Sequence, residues 1–179
     1  MTFTFSCKNK KSKPISDGKL INGRKDGLWK IYDKNGILRE YNSYKNDTLN
    51  GQQVTFDEKG KIYTKAHRKM GIFVDSFLLY YDNGQIRNEA WFNSVGREQG
   101  VYKIYHKNGQ LSEIGYSVNG EPEGKVKGYD ENGNLEYVEY CRSKLKERSV
   151  TYFNKKGMAL KIEYYKNDSL YKQTWLNIR

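Results

Sequence analysis

Proline is nearly missing from this chain: 179 residues contain only two. Helices are nonetheless not expected, because no stretch sustains an apolar period of 3.6 residues. Histidine is equally scarce, and His67 and His106 lack metal-ligand spacing to each other or to a cysteine. Two cysteines, Cys7 and Cys141, cannot make a disulfide framework. Long apolar runs are absent too, and none approaches the ~20 residues of a membrane-spanning helix. No Cys-x-x-Cys, His-Glu-x-x-His or P-loop motif occurs. Gly115-Tyr116-Ser117-Val118-Asn119 is not a nucleophile elbow, since its final glycine is displaced by one residue. A Gly-rich phosphate loop needs a following helix, and none is expected. These absences leave no support for an enzyme, a cofactor or a metal site.

Glycine is what the chain has in order. Gly36, Gly60, Gly84, Gly109, Gly133 and Gly157 follow one another at steps of 24, 24, 25, 24 and 24 residues. Such self-similarity marks a repeat architecture, in which one unit stacks on copies of itself. Four residues before each glycine stands an aromatic: Tyr32, Phe56, Tyr80, Tyr105, Tyr129 and Phe153. Two residues after it comes Leu38, Ile62, Ile86, Leu111, Leu135 or Ala159. Seven residues after it the later copies place Trp91, Tyr116, Tyr140 and Tyr164, where the earlier ones have Ser43 and His67. Aromatic and β-branched residues flanking a glycine turn predict a β-hairpin.

The turn type follows from the residue before glycine. A two-residue type I′ turn would need positive φ there, which Lys59 and Lys156 disfavour. A type I turn closed by a left-handed glycine bulge asks only for the glycine, and favours Asp or Asn at its first position. Asp33, Asp57, Asp130 and Asn154 comply, whereas Tyr81 and His106 do not. His106 is accordingly read as a turn residue. Alternation puts Trp29/Ile31, Phe77/Leu79 and Tyr102/Ile104 on one face and the aromatics preceding the turns on the other. The expected fold is all-β: about six hairpins, around twelve strands, in one elongated twisted antiparallel sheet. Lys19-Leu20-Ile21-Asn22 and the strand from Tyr171 to Leu176 read as its caps.

The strings Gly27-Leu28-Trp29-Lys30-Ile31-Tyr32 and Gly100-Val101-Tyr102-Lys103-Ile104-Tyr105, each leading to Asn-Gly, resemble MORN repeats. More narrowly they resemble the bacterial MORN-variant type found in antitoxin-like proteins. The resemblance covers residues 17–179. It implies a protein-binding module with a toxin as one candidate partner, and leaves open the alternative of a membrane-surface-associated lipoprotein or scaffold in the bacterial envelope. Asp75 and Arg148 stand where the opening glycine belongs, so the third and sixth copies are expected to be distorted while the array survives.

Charge and tail bear on partners. The formal net charge is +11 and the first sixteen residues hold Lys8, Lys10, Lys11 and Lys13 without an acid. A positive surface suits an acidic protein, an anionic membrane or a nucleic acid, while the plain reading is a solvated sheet protected from edge pairing by lysine. Mean hydropathy is −0.95, low for a thick two-layer core, yet 15% aromatics argue against disorder. Residues 1–16 read as a flexible basic tail before the array at 17–179. Within it Ser6-Cys7 followed by lysines resembles the end of a bacterial lipoprotein signal, making Cys7 a candidate lipidation residue. The basic start and full apolar region are missing, so an internal start and an accidental likeness both stay open. Location follows that choice: cell envelope if Cys7 is lipidated, cytoplasm otherwise. Cys141 reads as a small buried hydrophobe.

The strings Asn46-Asp47-Thr48 and Asn167-Asp168-Ser169 match a glycan acceptor pattern, but their shared repeat position makes turn chemistry the reading. Arg39/Tyr41/Tyr44, Arg87/Trp91/Phe92 and Arg142/Tyr140 could stack bases. Their repeat-determined positions favour packing between hairpins instead, so nucleic acid is a minor expectation. Partner contacts are expected where a copy departs from the pattern, at Trp91, Phe92, Arg97 and Glu98 beside the one-residue insertion.

Overall fold

The computed structural model describes residues 16–176. Cys7 and nearly all of the basic tail lie outside them. Fifteen strands form a single antiparallel sheet. The first third holds β1 (Ser16–Ile21), β2 (Arg24–Tyr32), β3 (Leu38–Lys45), β4 (Thr48–Phe56) and β5 (Ile62–Lys69). The middle holds β6 (Ile72–Tyr80), β7 (Ile86–Phe92), β8 (Gly100–Tyr105), β9 (Leu111–Val118) and the two-residue β10 (Glu121–Pro122). The last part holds β11 (Gly124–Tyr129), β12 (Leu135–Arg142), β13 (Glu147–Phe153), β14 (Ala159–Lys166) and β15 (Ser169–Trp175). Strands pair in chain order except that β11 follows β9, with β10 alongside β9. Six hairpins supply the expected twelve strands; the caps β1 and β15 and the short β10 complete the fifteen. At ~4.8 Å per strand the sheet is on the order of 60 Å long.

The repeat glycines close the turns that their setting predicts. Gly36 donates its N–H to the Asp33 carbonyl at 2.9 Å and sits at φ 78°, and the register shifts by one residue between Ile31 and Tyr32. That is a type I turn with a glycine bulge. Asp33 Oδ1 accepts from the N–H groups of Asn35 and Ile37, and Asp57 and Asp130 repeat the arrangement. Asn154 does the same, and where the first residue is neither Asp nor Asn the turn reaches forward instead. Tyr81 Oη donates to the Tyr105 carbonyl at 2.7 Å, and His106 Nε2 lies 2.8 Å from the Tyr129 carbonyl. His106 is thus a staple between neighbouring turns.

The opposite ends of the strands use two-residue turns with both residues at positive φ, such as Asn46-Asp47 at 50° and 66°. Two such ends differ: Ser143–Leu145 forms a single 3-10 turn closed by Lys146 at φ 50°, and Asn93-Ser94-Val95-Gly96 is a further bulged turn, with Gly96 N–H on the Asn93 carbonyl at 3.0 Å. That turn absorbs the inserted residue.

Paired residues share a face, so the register defines two surfaces. On the first, a row runs Gly18–Trp29–Asn42–Gln53–Ala66–Phe77–Ala90. It resumes as Tyr102–Gly115 and as Val126–Glu139–Val150–Glu163. The buried residues Trp29, Asn42, Ala66, Ala90, Val126, Val150 and Glu163 all stand on this packed face. Large side chains on one strand lie over small ones on the next. A Cβ on Gly18 would strike the Trp29 ring, and one on Gly115 would lie 2.6 Å from the Tyr102 ring. As expected, Phe56 is on the other face, edge-on to Tyr41 at 5.3 Å.

The two departures from the opening glycine resolve differently. Asp75 takes the left-handed conformation at φ 58°, close to Gly27 at 73° and Gly124 at 75°. Arg148 instead pairs with Cys141 in a β12–β13 ladder that shows no register shift. Its guanidinium bonds Glu139 at 3.1 Å and stacks 3.8 Å from the Tyr165 ring. Replacing Asp75 by glycine should therefore stabilise the fold by about 1 kcal/mol, relieving left-handed strain. Arg148→Gly should destabilise by a similar amount, since it removes ion pair and stacking from a regular strand. Urea unfolding of both variants checks this, and equal signs would refute the distinction.

Candidate functional site

Opposite the packed face, a central row runs Lys30–Tyr41–Val54–Lys65–Leu78–Glu89 and on through Lys103–Ile114–Lys127–Val138. Four lysines in that row meet a single acid, Glu89, which Lys103 approaches at 3.4 Å. This lysine face belongs to a one-layer sheet, and no described segment packs over it.

Beside the lysines lies a second row. Val101 pairs with Tyr116, Lys125 with Tyr140, Ser149 with both Tyr140 and Tyr164, and Trp91 lies on β7 in the same file. Trp91 is 53%, Tyr116 45% and Tyr140 49% exposed. The expectation that the aromatics of the three candidate base-stacking sets pack between hairpins holds for Tyr41, Tyr44 and Phe92 and is corrected for Trp91 and Tyr140. Their alternation put them on a face but did not say what would cover it, and the neighbouring Val101, Lys125 and Ser149 are too small or too polar to do so. Lysines cap two of the rings instead: Lys125 Nζ lies 5.2 Å from Tyr140 and Lys172 Nζ 5.3 Å from Tyr164.

The four residues expected to bind a partner do not converge. Trp91 is exposed on the lysine face. Phe92 points to the packed face, with ring centroids 5.7 Å from Phe73 and 6.2 Å from Phe77. Arg97 directs its N–H to Asn93 Oδ1 at 3.0 Å within the extra turn, and the Glu98 carbonyl accepts from Gly120 N–H at 2.8 Å. The base-stacking sets also divide. Arg39 holds Asp33 at 2.6 Å and the Asp57 carbonyl at 2.5 Å, while Tyr44 packs edge-on to Trp29. Tyr116 and Tyr140 complete the exposed row with Trp91, and the aromatic recurring seven residues after the turn glycine was the signal for them.

Between Tyr140 and Tyr164 opens a groove of about 530 Å³, lined also by Ser149 and Tyr171 and by two opposed charge sets, Arg142 and Arg148 with Glu123 and Glu147. Cys141 lies along it, its thiol pushed up to about 12 by burial and by the nearby Glu139 carboxylate. A thiol so protonated is a packing group, not a nucleophile.

On the packed face two carboxylates gather hydroxyls. Glu113 accepts from Tyr102 Oη at 3.0 Å and from Tyr137 Oη, joining adjacent repeats, and burial together with Glu113 raises both phenols. Glu163 accepts from Lys161 Nζ at 2.6 Å and from Tyr165 Oη at 2.7 Å.

The profile of the MORN repeat variant family matches residues 25–46, 98–119 and 122–140. Each stretch spans one hairpin turn and includes an opening glycine, so three of the six hairpins match the MORN repeat variant. No curated protein matches it in sequence. Among solved structures it is similar to a TarM mutant from S. aureus in complex with fondaparinux, alpha-GlcNAc-glycerol and UDP, at 10% identity and a TM-score of 0.41. That similarity covers 62% of this chain and 21% of the other.

Lys161, then Tyr165 and Tyr152, hold the Glu163 carboxyl at about 2, against an ordinary 4.5. A carboxyl depressed by folding stabilises the fold above its unfolded value, and that stability is lost as pH falls from about 4.5 towards 2. Glu163→Gln should flatten the acid limb of stability across that window in urea titrations. An unchanged acid limb would refute the role.

Proposed function

We propose that this chain is a non-catalytic protein-binding module that presents its lysine face to a partner with an acidic surface. The supporting observation is the exposed row Trp91, Tyr116 and Tyr140 beside a row of lysines. Large half-exposed aromatics flanked by cations are what interface hot spots are made of, whereas a merely solvated sheet face needs only the lysines. In its sharper form, following the antitoxin-like resemblance, the partner is a toxin that the chain neutralises by covering its acidic surface.

Affinity capture from lysate of the source organism, with the full chain as bait, tests the reading. One stoichiometric protein should be retained at moderate salt. The double variant Tyr116→Ala/Tyr140→Ala, checked for an intact fold by circular dichroism, should lose it by at least about tenfold, the effect of removing a hot spot. Equal retention by the variant would contradict the siting. Binding to anionic vesicles that survives the double variant would move the function to the basic tail and Cys7.

A further inference from the structure

The spacing of the exposed aromatic row identifies the shape of its ligand. Trp91, Tyr116, Tyr140 and the half-buried Tyr164, whose ring Tyr171 flanks at 6.3 Å, stand on alternate strands, with Val101, Lys125 and Ser149 on the strands between. Consecutive rungs are therefore two strand spacings apart, ~9.6 Å. A polyproline II helix has three residues per turn and a rise of ~3.1 Å, so it presents the same side every ~9.3 Å. An extended β-strand repeats its side every ~6.8 Å and falls out of step by the second rung. Only the first keeps register with all four aromatics.

The chemistry between the rungs agrees. Polyproline II leaves its backbone carbonyls unpaired, and tyrosine hydroxyls can donate to them while the rings flank proline. The groove of about 530 Å³ between Tyr140 and Tyr164, floored by Ser149, is of the size that ligand pockets have. From Trp91 to Tyr164 the row itself contains no carboxylate or carboxamide side chain, the groups that would recognise the hydroxyls of a sugar chain; the two carboxylates of the groove, Glu123 and Glu147, lie outside the row and are matched there by Arg142 and Arg148. Lys125, Lys172 and the groove residue Arg142 supply positive charge along the same track.

We infer that this ladder is a binding site for an acidic polyproline II segment, with proline recurring every third residue and one turn seated between Tyr140 and Tyr164. The inference rests on the protein-binding reading and specifies its partner. Peptide recognition of this kind draws on an already ordered ligand, so the conformation of the peptide should matter as much as its charge.

Isothermal titration calorimetry of the full chain tests it with a synthetic peptide of repeated Pro-Pro-Glu units against a Gly-Gly-Glu peptide of equal length and charge. The proline peptide should bind at least about tenfold more tightly, and Tyr116→Ala and Tyr140→Ala should each weaken it by about tenfold. Tyr63→Ala, at an equally exposed tyrosine outside the row, should leave it unchanged. Equal affinity for the two peptides, no binding of either, or indifference to Tyr116 and Tyr140 would overturn the inference. So would tighter binding of polygalacturonate, an acidic sugar chain, through the same tyrosines. Failure here with partner capture still lost in the Tyr116/Tyr140 double variant removes only the polyproline ligand. Failure here with capture unaffected removes the protein-binding face as well.

Discussion

A one-layer sheet has no second layer to bury its side chains against, so each strand must be covered by its neighbours. Here large residues lie across small ones on the packed face. Trp29 covers Gly18, Phe77 stands between Ala66 and Ala90, and Tyr102 covers Gly115. A side chain can fold flat over the next strand only if that strand offers no Cβ, or little more. The constraint explains why the row alternates in size, and why its glycines lie inside strands, where glycine is otherwise unfavourable. Burial then accumulates repeat by repeat, each hairpin depending only on those beside it.

The same constraint leaves the other face open. The central row of the lysine face mixes its cations with Val54, Leu78, Ile114 and Val138, beside them stand half-exposed rings, and no described segment packs over them. Polar groups tie the repeats where apolar contact is thin. Glu113 bridges tyrosines of β8 and β12, while Tyr81 and His106 bond the turns ahead of them. The repeats are thereby linked at regular intervals along their turns and across the packed row. That regularity is what spaces Trp91, Tyr116 and Tyr140 evenly.

Much of this was legible in the sequence. The glycine period, the aspartates opening the turns and the lysines before glycine were enough to derive hairpins with bulged turns. The face of each aromatic followed from alternation. What alternation could not tell was whether a face is covered, and so Trp91 and Tyr140 looked structural when they are half exposed. Trp91 and Phe92 were grouped by proximity in the chain, although neighbouring strand residues point to opposite faces. The turn at Asn93–Gly96 was visible only as an extra residue, because nothing in its sequence distinguishes a bulged turn from an irregular loop. Asp75 and Arg148 broke the pattern alike on paper, yet Asp tolerates a left-handed backbone and arginine here adopts a regular strand.

The most direct measurement is a double-mutant cycle at one large-over-small contact, Gly115 and Tyr102, followed by urea unfolding. Gly115→Ala alone should cost about 1–3 kcal/mol, because the added methyl has no room beneath the Tyr102 ring. In a Tyr102→Ala background the same change should cost far less, giving a clear interaction energy between the two positions. Additive effects would mean that the ring does not depend on the missing side chain, and that something other than large-over-small packing holds the sheet together.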